Sequence, residues 1–274
     1  MLKTIKMDLY RMFRSKSFYI TLFITYILVI VSISTFKLIQ DNDSLKSIYD
    51  QSKEASDSIN VGITAGMIYI KSDELKLVDL FSATVGGASI VVMAVIYSVI
   101  FICSEHNSGY IKNVISRKGY RVQFTISKAI CMAIYLLISL LGTAIFIGIS
   151  SALLLDNYTL GKVSEFATYF IIQYLIHYAI VMLVVFFCNL TRNMAISMAV
   201  GICLCSGMVG LLTSLLDRLK FNIVFSDYLL TTNLKILPTS FNTTIYTRAT
   251  LVSLVVTFVF AFSSVILMSK QDVR

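Results

Sequence analysis

The sequence predicts an all-α, polytopic membrane protein, because it is strongly apolar, poorly charged and divided into long uncharged stretches. Of the 274 residues, 57% are hydrophobic and 14% are charged, whereas soluble domains carry about 25% charged residues. Strands of a membrane barrel would be about ten residues long and would alternate in polarity, which these stretches do not. Six stretches of 20 residues or more lack Asp, Glu, Lys and Arg and are long enough to span a membrane as helices: 17–36, 80–104, 129–155, 166–191, 193–216 and 249–269.

The basic residues predict the orientation of this single transmembrane domain, residues 1–274. Six spans place both termini on one side, and that side carries thirteen Lys and Arg in short segments against ten in longer loops on the other. By the positive-inside rule, both termini are expected in the cytoplasm. The formal net charge of +8 is then a consequence of topology, and we expect no nucleic-acid partner.

Residues 1–16, MLKTIKMDLYRMFRSK, precede the first span. We interpret them as an amphipathic helix in the inner membrane interface, or equally as a charged flank that only orients the first span. The apolar stripe at helical spacing consists of Leu2, Ile5, Leu9, Met12 and Phe13.

Two long outer loops are predicted, over 37–79 and 217–248. The first contains eight acidic residues and five lysines, and at this length we expect an ordered cap. In the third span, a ridge of small residues at four-residue spacing, Ala144, Gly148 and Ala152, predicts close helix packing.

The fourth span contains the most polar residues of any apolar stretch. Gln173 and His177 lie four residues apart and therefore on one helix face. Together with Tyr97 of the second span they are candidate pathway residues, and the alternative is a satisfied hydrogen bond between helices. Since no ionisable Asp, Glu, Lys or Arg interrupts a span, a transporter coupled to protons or sodium is not expected.

The sequence offers no recognisable catalytic or metal-binding motif. It lacks GxxxxGK[ST] and HExxH and contains only two histidines, so we expect neither an enzyme nor a cofactor in this chain. All five cysteines lie in apolar stretches and are expected to be free thiols. Cys203-x-Cys205 has no second pair nearby in the sequence, which favours packing over metal binding.

A basic segment, 105–128, separates the second and third apolar stretches with the sequence EHNSGYIKNVISRKGYRVQFTISK. Its cations, Arg117 among them, mostly report orientation. Its apolar residues would form one stripe on a cytosolic helix, with Glu105 at the helix entry. Such a stripe predicts a partner with a groove to receive it, and its members are Tyr110, Ile111, Val114 and Ile115.

This layout and this segment resemble the ABC-2 type permeases of bacteria, in which a Glu is followed by a Gly-x-Ile-Lys-Asn run with a hydroxyl or aromatic residue at x, a basic turn and a Lys entering the third span. The resemblance covers nearly the whole chain, apart from the long first outer loop. It implies a homo- or heterodimer of permeases in the bacterial plasma membrane, with separate ATPase subunits that hold ATP and Mg. It further implies a coupling helix at 107–116 and a pathway near spans two and five.

The expected function is therefore that of a permease subunit in an ATP-driven exporter. The expected substrate is amphipathic, such as a peptide or an antimicrobial compound. The alternative is a membrane sensor or immunity protein that binds a ligand at its outer loops without transporting it.

Overall fold

The structure, a computed structural model, describes residues 2–42, 75–107, 118–155, 157–206, 208–209, 228–239 and 242–270. Most of these residues are helical. The helices are α1 (Leu2–Arg14), α2 (Lys16–Asp41), α3 (Leu77–Gly86), α4 (Ser89–Asn107), α5 (Lys118–Leu154), α6 (Val163–Thr191), α7 (Met194–Cys205), α8 (Leu230–Ile236) and α9 (Thr243–Lys270). Two short strands, β1 (Leu75–Lys76) and β2 (Tyr158–Thr159), complete the described part.

Four of the described helices, α2, α5, α6 and α9, are long and apolar enough to cross a membrane. Helices α3, α4 and α7 are apolar but shorter. The described part of the chain is thus helical and suited to a membrane, in agreement with the predicted class. The count of six spans remains a prediction.

The second apolar stretch differs from its prediction as one helix, because it forms α3 and α4 with a break between them. At the break Ala88 has φ 64°, a left-handed conformation that a right-handed helix does not contain. Just before it, an added Cβ at Gly86 would lie 3.7 Å from the carbonyl oxygen of Leu234. The small residues of this stretch therefore admit the backbone of α8.

The helix boundaries elsewhere follow local capping. Between α1 and α2, the hydroxyl of Ser15 accepts a hydrogen bond from the Phe18 amide at 3.3 Å. Between α6 and α7, Arg192 is left-handed with φ 52°, and the Asn193 side chain accepts from the Ala195 amide at 2.9 Å. Both Ser and Asn are preferred N-cap residues.

Several helices run beyond the charge-free stretches that predicted them. Helix α2 continues to Asp41, α5 begins at Lys118 and α9 begins at Thr243. A charged residue limits the apolar stretch but does not end a helix, since Lys and Glu are good helix formers. Residues 118–128 of the basic segment are consequently a helical extension of the third span.

The two strands connect distant parts of the chain. They pair in parallel, with Leu75 opposite Tyr158 and Lys76 opposite Thr159, and the Leu75 amide donates to the Asn157 carbonyl at 3.1 Å. The end of the first predicted outer loop is thereby attached to the connection between α5 and α6. Residues 43–74 of that loop, with the expected cap, lie outside the described residues.

Polar bonds join the long helices inside the bundle. The Asn189 amide of α6 donates to the Ser264 hydroxyl of α9 at 2.7 Å, and the Tyr26 hydroxyl of α2 donates to the Ile138 carbonyl of α5 at 3.3 Å. Tyr26 also packs directly against Gly142 of α5, where an added Cβ would overlap the Tyr26 ring. The predicted ridge lies elsewhere, and its Ala152 is exposed.

Candidate functional site

Four charged side chains from three helices meet where α1 packs against the bundle, and we call them the charge cluster (Asp8, Arg11, Glu105 and Lys128). Helix α1 supplies Asp8 and Arg11, the last turns of α4 supply Glu105, and α5 supplies Lys128. Asp8, Glu105 and Lys128 are at most 2% exposed. Charged side chains are almost never this deeply buried unless they are paired.

Lys128 is the centre of the cluster, because its ammonium group contacts both carboxylates. Its Nζ lies 2.8 Å from Asp8 Oδ1 and donates a hydrogen bond to Glu105 Oε1. The second Asp8 oxygen, Oδ2, accepts a hydrogen bond from the hydroxyl of Ser127 at 2.6 Å. Arg11 forms an ion pair with the same Glu105 oxygen. Every charge thus has an opposite charge beside it.

Two phenylalanine rings lie next to the cations of the charge cluster. Lys128 Nζ lies 4.7 Å from the ring centroid of Phe101 and 4.7 Å from that of Phe124. Arg11 Cζ lies 4.7 Å from the Phe101 centroid, so both cations share this ring. Ring faces attract cations electrostatically, and the attraction grows when water is excluded.

Helix α1 reaches the cluster with a face that differs from the predicted apolar stripe. Its buried residues are Thr4, Asp8 and Met12, which follow one another at four-residue spacing on one side of the helix. Met12 also belongs to the predicted apolar stripe, whereas Leu2 and Phe13 of that stripe are 83% and 41% exposed. The interface location of α1 stays a prediction, and its buried face adds an acid that meets a buried lysine.

The charges balance separately on the two sides of this contact. Helix α1 contributes one acid and one base, Asp8 and Arg11, and the bundle contributes one acid and one base, Glu105 and Lys128. If α1 leaves, Glu105 and Lys128 still form a neutral pair. A buried charge left unpaired costs about 3–5 kcal/mol, and this arrangement avoids that cost. Release of α1 would therefore leave no unpaired charge buried in the bundle.

Of the predicted coupling residues, the structure describes Glu105 alone. It lies near the end of α4 and belongs to the charge cluster. The remaining members lie outside the described residues, and their role stays a prediction: Tyr110, Ile111, Val114, Ile115 and Arg117.

The candidate pathway residues occupy two environments. Gln173 and His177 are fully buried on α6, where His177 Nδ1 lies 2.7 Å from the Gln173 carbonyl oxygen. Tyr97 instead belongs to an aromatic group, stacked on Tyr135 with centroids 4.0 Å apart and edge-on to Phe18 at 6.0 Å.

Sequence reasoning missed Asp8, Arg11 and Ser127 as members of the site, and it assigned Lys128 mainly to orientation. The sequence contained a weak indication of two members of the site, Asp8 and Lys128. Asp8 is the sole acid among the first sixteen residues, and Lys128 directly precedes an apolar stretch. A single acidic residue next to a membrane span requires a cationic partner, but the sequence alone does not identify which Lys or Arg that partner is.

No group of three or more His, Cys, Asp or Glu side chains suited to a metal occurs within the described ranges. The cysteines are free; Cys205 is buried and Cys203 is exposed. Their different environments agree with packing rather than with a shared ligand site.

Comparison with protein-family models finds no match, and comparison with curated proteins finds none either.

Proposed function

We propose that the chain is the permease subunit of an ATP-driven exporter of the ABC-2 type. In this proposal both termini face the cytoplasm of a bacterial cell, and a second permease completes a dimer. Separate ATPase subunits bind ATP and Mg and act on the basic segment. The cargo is an amphipathic molecule such as a peptide or an antimicrobial compound.

The observation that supports this proposal most is the position of the charge cluster around the basic segment. Residues 108–117, which include the apolar stripe, lie between the end of α4 and the start of α5. Glu105 and Lys128 stand on the two sides of those residues and are bonded to each other. A partner that moves the segment therefore acts on both helices through one ion pair, and on α1 through the same pair.

The energies involved suit a switch between two states. Shifting an equilibrium from about 1:99 to 99:1 requires ~5.5 kcal/mol of differential binding. Release of α1 leaves Glu105 and Lys128 paired with each other and so avoids the cost of an unpaired buried charge, which keeps this movement within reach of a shift of that size.

Replacing both Ile111 and Val114 with Asp tests the coupling role. The two carboxylates would be buried in an apolar groove of the partner, and we expect the tagged chain to lose its ATPase partner by at least tenfold in copurification from native membranes. Mass spectrometry identifies the partner by its GxxxxGK[ST] sequence. The thermal unfolding temperature of the purified variant should match that of the unaltered chain.

Asn113→Asp together with Ser116→Asp is the matched control, since it adds the same two charges in the same segment at residues outside the apolar stripe. It should retain the ATPase. Equal recovery with the Ile111 and Val114 variant would refute the coupling assignment, and the absence of any ATPase with the unaltered chain would refute the exporter proposal.

A further inference from the structure

Two buried side chains on α6, Gln173 and His177, present hydrogen-bond acceptors that the described part of the chain does not satisfy. Both residues are 0% exposed. Gln173 Oε1 and His177 Nε2 are each buried without a hydrogen-bond partner among the described residues. Buried polar atoms are rarely left in this state unless something else binds them.

The hydrogen bonds made by the other polar atoms of these two side chains show that Gln173 Oε1 and His177 Nε2 are both acceptors. The Gln173 amide nitrogen Nε2 donates to the Leu234 carbonyl at 3.4 Å and to the Tyr169 hydroxyl at 2.8 Å. Since a carbonyl only accepts, the amide oxygen must be Oε1 on the opposite side. His177 Nδ1 faces the Gln173 carbonyl at 2.7 Å and must carry the hydrogen, which leaves Nε2 of the neutral ring as an acceptor.

An apolar cavity lies further along α6, next to α8. It has a volume of about 170 Å³, and its lining includes Ile180 of α6 and Leu230 of α8 with residues of α7 and α9. Neither Gln173 nor His177 is part of the lining. Gln173, His177 and Ile180 follow at helical spacing on one face of α6, and Ile180 is about 4.5 Å along the axis from His177. On α8, Leu230 lines the cavity and lies one helical turn from Leu234, whose carbonyl accepts the hydrogen bond from Gln173.

The cavity admits one small apolar group. A cavity of about 150 Å³ lined by apolar side chains accommodates benzene, so this one matches a single ring or a short branched chain. At its edge Tyr228 is 56% exposed, which leaves an approach to the cavity from outside the helices.

The surroundings favour an uncharged donor over a cation. Both acceptors belong to side chains that are 0% exposed, so a cation bound to them would lose its contact with water. A desolvated ammonium would require a paired carboxylate, whereas a hydroxyl or amide N–H requires one good acceptor.

We propose that the seam between α6 and α8 binds the end of an amphipathic molecule, with an apolar group in the cavity and an uncharged hydroxyl or amide N–H donating to His177 Nε2, the acceptor nearer to Ile180 along α6. The assignment names a substrate class for the exporter and rests on that proposed function. It is separate from the charge cluster, and it gives His177 the donor that it lacks.

A pair of matched probes tests the proposal on the purified full-length chain without any ATPase. 4-Fluorophenol carries a ring of the right size and a hydroxyl donor, and 4-fluoroanisole carries the same ring without a donor. We expect ¹⁹F NMR to show saturable binding of the phenol at least tenfold tighter than that of the anisole, the factor that one hydrogen bond of about 1.4 kcal/mol supplies.

His177→Phe removes an acceptor while keeping a ring in place, and it should weaken phenol binding about tenfold while leaving the weaker anisole binding unchanged. Tyr178→Phe is the matched control. It removes a buried hydroxyl from the neighbouring position of α6, where Tyr178 donates to the Ala129 carbonyl at 3.2 Å, and it should bind the phenol normally.

Equal affinity for the two probes, or the same affinity in His177→Phe and the unaltered chain, would overturn the assignment, as would no saturable binding because water alone fills the seam. Because the measurement needs no ATPase, these results leave the exporter proposal untouched. Conversely, loss of ATPase copurification would refute the exporter and not the binding site.

Discussion

Lys128 is the residue on which the charge cluster depends, since its ammonium group contacts Asp8 and Glu105 at once. Lys128→Met would leave two buried carboxylates facing Arg11 alone. We expect the free energy of unfolding to fall by about 3–5 kcal/mol, measured as a lower thermal unfolding temperature of the detergent-purified chain.

A second substitution distinguishes charge balance from simple loss of packing. Adding Asp8→Asn to Lys128→Met removes one charge of each sign and leaves Glu105 paired with Arg11. The double variant should therefore regain roughly 1–3 kcal/mol relative to Lys128→Met alone. Lys6→Met on the exposed side of α1 serves as the control and should unfold like the unaltered chain. Additive losses in the double variant would contradict the balanced cluster.

The individual members of the site were only partly predictable from the sequence. Glu105 and Lys128 stand at the ends of apolar stretches and were noticed for that reason. Their pairing with Asp8, which is 120 residues from Lys128 by number, depends on how α1 packs against α5. No periodicity in the sequence contains that information, because long-range contacts are set by the whole bundle.

At the scale of elements, the contact between α2 and α5 places Tyr26 against Gly142, where an added Cβ would overlap the Tyr26 ring. Gly142→Ala should lower the unfolding free energy by about 1–3 kcal/mol through overpacking, although Ala is otherwise the better helix former. In a Tyr26→Leu background the same substitution should cost little. Thermal unfolding of the four chains measures both effects.

Gly148→Ala is the matched control on the same helix. The nearest atom to its added Cβ, the Tyr158 hydroxyl, is 3.7 Å away, an ordinary contact. This variant should be neutral or more stable. A loss at Gly148 equal to that at Gly142 would show that flexibility of α5, rather than contact with Tyr26, is responsible.

The same element shows where sequence reasoning reaches its limit. Long apolar stretches correctly indicated α2, α5, α6 and α9, since a membrane requires about 20 apolar residues of any helix that crosses it. The ridge of small residues that includes Gly148 predicted tight packing, yet an added Cβ would meet an overlap at Gly142 and only an ordinary contact at Gly148. Spacing identifies a surface that permits close contact, whereas the partner's side chain decides where contact occurs.

At the scale of the whole molecule, the proposed orientation predicts which surfaces reagents reach. The background chain carries Cys203→Ser, which removes the exposed cysteine; the other four cysteines are buried. In this background, Lys162→Cys reports the outer side of the membrane and Lys6→Cys reports the cytoplasmic side. The Lys162 side chain is 80% exposed. A membrane-impermeant maleimide should label Lys162→Cys in intact bacterial cells and Lys6→Cys only after permeabilisation.

The chain with Cys203→Ser and no added cysteine is the background control. Labelling of Lys6→Cys in intact cells as rapid as that of Lys162→Cys would refute a cytoplasmic N-terminus. Such a result would also place the basic segment outside the cytoplasm, where an ATPase subunit could not bind it.

The contact between α1 and the bundle has a consequence for biosynthesis. Helix α1 leaves the ribosome first, but Glu105 and Lys128 are made about 100 residues later, and synthesis proceeds at ~5–20 residues per second. For those seconds Asp8 and Arg11 are available only to water, lipid headgroups and each other. Helix α1 is therefore synthesised early but can dock only late. Its docking requires that α4 and α5, which carry Glu105 and Lys128, are already inserted.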